Sequence, residues 1–126
     1  MSDRFAENQR KAEQYLARFK TKSLGHLIGG KGIAGYDRNT MENSTPIDGS
    51  TLNTVSMGGE SEVNLAAAAA SDAFSDWRNA SGTARRQLLH RIADAVEARA
   101  EEISLVESVD TGQAIRFMSK AAIRGA

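Results

Sequence analysis

The sequence predicts a mostly α-helical polypeptide with a short antiparallel hairpin and one extra strand, forming the opening part of a larger α/β protein. Apolar residues recur at helical spacing in the first 23 residues and again after residue 60. The stretch between them contains short apolar runs bounded by glycine pairs. The 126 residues nevertheless contain no Val/Ile-rich run that would form a buried parallel strand and receive the long helices.

Residues 1–23 are predicted to form an amphipathic helix that extends the N-terminus. Its apolar stripe follows the i, i+3, i+4, i+7 spacing and consists of Ala12, Tyr15, Leu16 and Phe19. Ser2 or Asp3 provides the side-chain oxygen that caps a helix start. We expect this helix to end near Lys22, ahead of the first glycine.

Residues 24–59 are predicted to form a β-hairpin and strand arm. His26-Leu27-Ile28 and Ile33-Ala34 flank Gly29-Gly30, a pair typical of a tight hairpin turn. Residues 52–57 alternate apolar and polar between two glycine-containing turns, which predicts one further strand. Pro46, the only proline, is assigned to the loop between them.

Residues 60–126 are predicted to be helical. The first helix begins with Ser61 as its N-cap, and its apolar face consists of Val63, Ala66, Ala67, Ala70, Phe74 and Trp77. A long second helix is expected from about Thr83 to Glu107, its glutamates forming surface pairs with Arg91 and Arg99. A last helix opens near Thr111 and is still running at residue 126, so we expect the fold to be incomplete there.

Composition excludes several classes of function. The 16 basic and 16 acidic side chains cancel, which argues against a nucleic-acid partner because phosphate neutralisation needs a cationic surplus. No apolar run approaches the ~20 residues of a spanning helix, so we expect no membrane partner and a cytoplasmic location. The chain contains no cysteine, which excludes a disulfide, a thiolate metal site and a cysteine nucleophile within it.

Three local patterns are candidates for chemistry on residue type alone. Residues 25–32 have the G-x-x-x-x-G-K skeleton of a phosphate-binding loop, but Gly32 stands where Ser or Thr holds magnesium, so a hairpin turn is favoured. His26 and His90 lie far apart and next to no carboxylate pair, so they do not indicate a metal site. Arg116 and Arg124 are suited to grip a carboxylate, although helix arginines are usually solvated.

Five motifs occur in order between residue 24 and residue 126. They are Ile28-Gly29-Gly30-Lys31-Gly32, Thr45-Pro46-Ile47-Asp48-Gly49 with the strand after it, Ala73-Phe74-Ser75-Asp76-Trp77, Arg85-Arg86 with Leu89 and Ile92, and Glu107-Ser108-Val109-Asp110-Thr111-Gly112-Gln113. This ordered set resembles the N-terminal part of the NAD(P)-dependent aldehyde dehydrogenase superfamily. The last motif is the most specific, and is similar to the family's Glu-x-x-Asp-x-Gly-(Lys/Gln)-Pro.

The resemblance implies an α/β fold in which residues 60–126 begin the cofactor-binding domain. It also implies the oxidation of an aldehyde to an acid with NAD or NADP, by an enzyme that is a homo-oligomer when complete. In the family, the catalytic cysteine and the cofactor-binding residues lie downstream of the region that matches this chain. The chain alone is therefore expected to contain no catalytic residue, to bind no cofactor and to be inactive.

The resemblance also assigns two sites. Arg124-Gly125-Ala126 is similar to a segment of hydroxymuconic semialdehyde dehydrogenases, which act on carboxylated semialdehydes from aromatic degradation. In those enzymes the matching arginine binds a carboxylate at the substrate entrance, so Arg124 is the expected substrate-binding residue. Asp110 matches a position that helps to coordinate a structural monovalent cation, together with a backbone carbonyl near Asn43.

Four positions depart from the family pattern, and they leave other functions open. They are Gly32, Thr45, Gly82 and Ala114. Each loses packing or the rigidity that a proline supplies, which would suit a decayed remnant. The alternative class is a small, non-catalytic helical interaction protein. Without a sheet, the apolar stripes within residues 63–77 and 89–106 would have to pair with each other, giving a marginal helical hairpin or an aggregating fragment.

Overall fold

The computed structural model describes residues 3–20, 23–35 and 39–124, with the backbone alone described for 122–124. Within these ranges the chain forms five helices and four strands. In chain order they are α1 (Asp3–Ala17), β1 (His26–Ile28), β2 (Lys31–Ile33), β3 (Thr40–Ser44), β4 (Thr51–Ser56), α2 (Glu60–Asn79), α3 (Gly82–Glu97), α4 (Ala100–Thr111) and α5 (Ile115–Arg124). The prediction of a mostly helical chain with small antiparallel β elements is confirmed.

The hairpin around Gly29-Gly30 forms as predicted. Strands β1 and β2 pair antiparallel, with His26 opposite Ile33 and Ile28 opposite Lys31. Gly29 and Gly30 have φ angles of 57° and 76°, the left-handed values that a two-residue hairpin turn requires. A Cβ on Gly29 would lie 3.6 Å from the Cβ of Ala69, so the small residues of α2 let the turn approach closely.

The expected extra strand is half of a second hairpin. Strand β4 pairs antiparallel with β3, which the sequence did not predict, with Thr40 opposite Ser56 and an irregularity between Asn43 and Ser44. On the other side of β4, the Leu24 N–H donates to the Thr54 carbonyl at 2.8 Å, and the Ser56 N–H donates to the Leu24 carbonyl at 2.7 Å. The two hairpins are therefore tied together through Leu24.

Helix α1 is shorter than expected. It ends at Ala17 and is followed by a turn in which the Phe19 N–H donates to the Leu16 carbonyl at 2.9 Å. The proposed cap Ser2 and the expected end at Lys22 lie outside the described residues. The buried residues of the helix are Ala12 and Leu16, both from the predicted stripe.

Helix α2 begins at Glu60, so the prediction of Ser61 as its N-cap is wrong. Gly59 is the N-cap, with an extended backbone, and its N–H donates to Glu62 Oε2 at 2.8 Å. A glutamate three residues after the cap bonds back to the cap N–H in this way at many helix starts. Ser61 instead lies inside the first turn.

The long helix expected from Thr83 to Glu107 is two helices. Helix α3 ends at Glu97 and α4 begins at Ala100, with Arg99 at the junction in a non-helical conformation (φ −114°, ψ 15°). Helix α4 then runs to Thr111 and ends on Gly112, whose φ of 73° is the left-handed conformation common after a helix. Helix α5 consequently begins at Ile115 rather than near Thr111.

The packed core lies where α4 contacts α1 on one side and α5 on the other, and α3 also contacts α5. The buried apolar residues of the described chain are Ala12, Leu16, Leu105 and Met118. The apolar stripes of α2 and α3 do not pair with each other as predicted. Val63 and Phe74 of α2 remain 62% and 56% exposed, and Leu89 of α3 remains 57% exposed. None of the described helices is both long and apolar enough to cross a membrane.

Candidate functional site

The candidate site is the turn that connects β3 to β4, together with the C-terminal end of α4. Within the turn, the Gly49 N–H donates to the Thr45 carbonyl at 2.9 Å, and the Thr45 N–H donates to the Ser50 carbonyl at 2.9 Å. Asp48 Oδ1 accepts from the Ser50 N–H at 2.9 Å, and hydrogen bonds with Ser50 hold the pKa of the Asp48 carboxyl below its usual value. The turn is thus closed by its own backbone hydrogen bonds, independently of its contacts with the helix.

Three contacts dock this turn on α4. Asn43 Nδ2 donates to Asp110 Oδ1 at 2.7 Å, and Thr45 Oγ1 donates to the Val109 carbonyl at 2.5 Å. Pro46 lies against Gly112, where a Cβ would come within 3.0 Å of the proline Cγ. The structure therefore joins Asn43 and Asp110 through their side chains, whereas the resemblance assigned a cation to Asp110 and a backbone carbonyl near Asn43.

The oxygens near this contact decide what it could bind. Asp110 is half-buried, and among the described residues only its Oδ1 has a hydrogen-bond partner, so Oδ2 is left over. Asn53 lies directly opposite Asn43 in the hairpin, and its buried Oδ1 has no hydrogen-bond partner in the described chain. Carboxylate and amide oxygens suit a hard cation in chemical type. The described residues contain no group of three or more His, Cys, Asp or Glu that could hold a metal ion.

The predicted substrate-binding residue is placed only by its backbone. Arg124 is the last residue of α5, and its side chain lies outside the described part of the structure. Arg116 is exposed in the first turn of the same helix, with its guanidinium carbon 4.7 Å from the centroid of the Phe117 ring. At ~1.5 Å per residue, the backbones of the two arginines lie about 12 Å apart along the helix axis. The helix alone therefore does not bring both side chains to the same carboxylate.

An ionic network that the sequence did not predict joins α1 to α4. Lys11 Nζ lies 2.6 Å from Glu101 Oε1 and 3.3 Å from Glu7, and the Tyr15 hydroxyl donates to Glu101 Oε2 at 3.2 Å. The hydrogen bond from Lys11 lowers the pKa of Glu101, and the same bond raises the pKa of Lys11. Burial, followed by the bond to Glu101, raises the pKa of Tyr15.

The neighbouring residue of α4 repeats this arrangement. Glu102 accepts from Arg99 Nε at 2.9 Å, and Arg18, just after α1, forms a second ion pair with it. The hydrogen bond from Arg99 is the main cause of a lowered pKa at Glu102. The sequence predicts surface pairs for the glutamates within one long helix, whereas Glu101 and Glu102 reach across to the α1 segment.

The two histidines lie on separate elements, His26 on β1 and His90 on α3. His90 is exposed on α3. His26 is half-buried and packs where a Cβ on Gly35 or Gly58 would come within about 3.6 Å of its ring, and its buried Nε2 has no hydrogen-bond partner in the described chain. Two glycines thus leave the room that this imidazole fills.

The structure thus docks a turn of the β arm on the end of the helix that carries Asp110 and is followed by Gly112. The chain belongs to the aldehyde dehydrogenase family, whose sequence model matches residues 33–126. Helix α1 lies ahead of the matched region.

Individual relatives agree with this assignment. The chain is 38% identical over 91 residues to 5-carboxymethyl-2-hydroxymuconate semialdehyde dehydrogenase of Escherichia coli, covering 72% of this chain and 19% of that protein. The crystal structure of HpcC from Thermus thermophilus matches with a TM-score of 0.87 and 30% identity, covering 92% of this chain and 22% of that one. The structure of PnpE in complex with nicotinamide adenine dinucleotide matches with a TM-score of 0.74 and 31% identity, covering 78% and 20%. The chain therefore spans about a fifth of the relatives that it matches.

Proposed function

We propose that this chain is the N-terminal portion of an NAD(P)-dependent aldehyde dehydrogenase that oxidises an aldehyde to the corresponding acid. The observation that carries the proposal is the structural match to HpcC, with a TM-score of 0.87 over 92% of the chain. The bound dinucleotide in PnpE supports NAD as the cofactor of the complete enzyme, where it would accept hydride from the substrate. We propose that the complete enzyme is a cytoplasmic homo-oligomer whose partners are the aldehyde and the cofactor.

The substrate we propose is a carboxylated semialdehyde from aromatic degradation. The support is the 38% identity to the Escherichia coli enzyme, whose name describes a carboxymethyl-hydroxymuconate semialdehyde. Arg124 would then bind the substrate carboxylate, since a guanidinium pairs with a carboxylate through two parallel hydrogen bonds. No residue of this chain is proposed to act in the chemical step.

The chain on its own should be inactive. Aldehyde oxidation of this kind needs a thiolate that attacks the carbonyl, and none of the 126 residues is a cysteine. The domain boundaries follow the same proposal: residues 1–23 form an N-terminal extension, residues 24–59 a β arm, and residues 60–126 the start of the cofactor-binding domain. The exposed apolar faces of α2 and α3 support this last assignment, because such faces are usually covered in a complete fold.

The activity is tested in three steps. The nucleotides after codon 126 are read first, and the longest in-frame product is expressed beside the 126-residue chain. NADH formation is then measured with a carboxylated semialdehyde and with an uncharged aldehyde of the same length. We expect turnover by the longer product only, with Arg124→Gln raising KM for the carboxylated substrate about tenfold or more. Arg86→Gln, on an exposed part of α3, is the matched control.

Two results would contradict the proposal. Turnover by the 126-residue chain, with host dehydrogenases excluded, would show that its chemistry needs no cysteine. A stop codon directly after residue 126, with a stable monomeric product, would favour the alternative of a small non-catalytic helical interaction protein. The exposure of Val63, Phe74 and Leu89 is the observation that supports that alternative.

We also propose that Asp110 and a backbone carbonyl near Asn43 hold a monovalent cation. The leftover Asp110 Oδ2 and the unpartnered Asn53 Oδ1 support oxygen coordination near this contact within the described chain. The test is thermal unfolding in potassium or sodium chloride against tetramethylammonium chloride at equal ionic strength. We expect the small ions to raise the midpoint in the wild type and in Asp94→Asn, but not in Asp110→Asn. Equal midpoints in all three salts would contradict the site.

A further inference from the structure

A groove between the start of α1, the middle of α4 and the start of α5 has the features of a small-molecule site. Its volume is about 420 Å³, and its apolar lining comes from Phe5, Leu105 and Ile115. Leu105 is almost fully buried and forms the floor, whereas Phe5 is 51% exposed at the edge. Five of the eight lining residues are polar or charged, and the volume lies within the ~300–1,000 Å³ of small-ligand sites, so one ring with a short polar substituent would fit.

The charges at the rim favour an anion. Arg4 and Arg116 line the groove from different helices, and neither has an ion-pair partner among the described residues. Glu101 lines it as well, but its carboxylate is already bound by Lys11 at 2.6 Å and by the Tyr15 hydroxyl at 3.2 Å. Because Glu101 is paired, the two guanidinium groups determine the charge that a ligand meets.

One of these arginines is held in place by its neighbour. The guanidinium carbon of Arg116 lies 4.7 Å from the centroid of the Phe117 ring, within the range of a cation–π contact. A guanidinium that rests on a ring loses less freedom when it binds a ligand, and its N–H edge remains available for a carboxylate.

From this juxtaposition we propose that the groove between α1, α4 and α5 binds a small carboxylate with an apolar ring or branched body, its carboxylate between Arg4 and Arg116 and its apolar body over Leu105. The groove depends on α1, which lies ahead of the region that the family sequence model matches. The proposal concerns this chain itself, and it does not depend on the proposed dehydrogenase activity.

The test uses the 126-residue chain and three probes in ligand-observed NMR titrations. Phenylacetate has both features of the proposed ligand, 2-phenylethanol is its neutral counterpart of similar shape, and sulfate is an anion without an apolar body. We expect phenylacetate to bind about tenfold or more tightly than either other probe, because a hydrogen bond to a charged group contributes more than a neutral one.

Variants then locate the binding. Arg4→Gln and Arg116→Gln should each weaken phenylacetate binding about tenfold, and Arg116→Lys should retain part of the affinity because it keeps the charge but loses the planar fork. Arg91→Gln, on exposed α3 outside the groove, is the matched control and should bind like the wild type. Unchanged circular dichroism in each variant shows that helix content is retained.

Three outcomes would overturn the proposal. Equal affinity for phenylacetate and 2-phenylethanol would mean that the arginines do not recognise the carboxylate. Equal affinity for sulfate and phenylacetate would reduce the effect to charge attraction at the surface. Wild-type affinity in both Arg4→Gln and Arg116→Gln would place any binding elsewhere on the chain.

Discussion

Replacing Gly112 with alanine tests whether the β3–β4 turn is seated on the end of α4. Gly112 has a φ of 73°, and a Cβ there would lie 3.0 Å from Pro46 Cγ. Gly30 is a matched control, because its φ is 76° and a Cβ there would meet nothing within 4 Å. Both substitutions carry the same backbone penalty, and only Gly112→Ala adds a contact with the turn.

The expected magnitudes follow from these two terms. An alanine in the left-handed region costs roughly 1–2 kcal/mol, partly offset by about 0.4–1 kcal/mol from the reduced freedom of the unfolded chain. Gly30→Ala should therefore lower the free energy of unfolding by about 1 kcal/mol. Moving the proline, and with it the Thr45–Val109 hydrogen bond, should cost Gly112→Ala a further ~1–2 kcal/mol.

The assay is urea unfolding followed by far-ultraviolet circular dichroism. Several protein concentrations are compared, because self-association would raise the apparent stability. Combining Gly112→Ala with Pro46→Ala should recover most of the difference between the two glycine variants, since the double substitution removes the crowded atom. Equal losses in Gly112→Ala and Gly30→Ala would refute the reasoning and mean that the turn does not rest on Gly112.

Three further predictions concern other parts of the molecule. Asn43→Ala should lower the free energy of unfolding by about 1–2 kcal/mol in the same urea assay, because it leaves half-buried Asp110 without its hydrogen bond; an unchanged value would contradict the contact. In a pH series of thermal melts, the chain should lose stability as the pH falls from the usual Glu pKa of 4.5 through the lowered pKa of Glu101. Glu101→Gln should make this loss smaller. An identical pH profile in the variant would argue against a stabilising role of the Glu101 carboxylate. Sedimentation should show less self-association in Phe74→Ser, with the urea midpoint nearly unchanged. Leu105 is only 5% exposed, so Leu105→Ser should unfold the chain. A Phe74→Ser variant that unfolds would mean that this face of α2 is buried.

Local signals in the sequence were sufficient for the first hairpin, whereas the helix end predicted at Glu107 lies at Thr111. Gly29-Gly30 supplies the two left-handed residues that the turn needs, so the hairpin could be predicted from its immediate neighbours. Gly112 gives the same kind of signal, but its effect was underestimated. It ends α4 at Thr111, and the next helix therefore starts at Ile115 rather than at Thr111 itself.

Elements that depend on distant partners could not be predicted. Strand β3 has the sequence Thr-Met-Glu-Asn-Ser, and four of its five residues are exposed. No alternation marks it, and it is a strand because β4 supplies its hydrogen-bond partners. The break between α3 and α4 is similar, because no glycine or proline stands between Glu97 and Ala100. There Arg99 leaves the helical conformation and bonds to Glu102 instead.

The candidate site was predicted in part. The family resemblance paired Asp110 with the chain near Asn43, and the structure joins their side chains by a 2.7 Å hydrogen bond. Thr45 is one of the four positions that depart from the family pattern. In the structure its hydroxyl donates to the Val109 carbonyl and its own N–H closes the turn, so threonine provides a docking contact of its own.

The exposed stripes of α2 and α3 show what amphipathic spacing can and cannot predict. The spacing predicted α2 and made α3 part of one longer helix. In the structure Val63, Phe74 and Leu89 are more than half exposed, while the stripe of α1 packs toward α4. Periodicity specifies which face of a helix is apolar, and it contains no information on which surface covers that face. Each fully buried side chain of this size stabilises a fold by ~1.5–3 kcal/mol, and the described contacts of the two stripes do not provide this stabilisation. A surface that covers both helices would gain this free energy. In the proposed enzyme that surface would be the remainder of the cofactor-binding domain, which residues 60–126 begin.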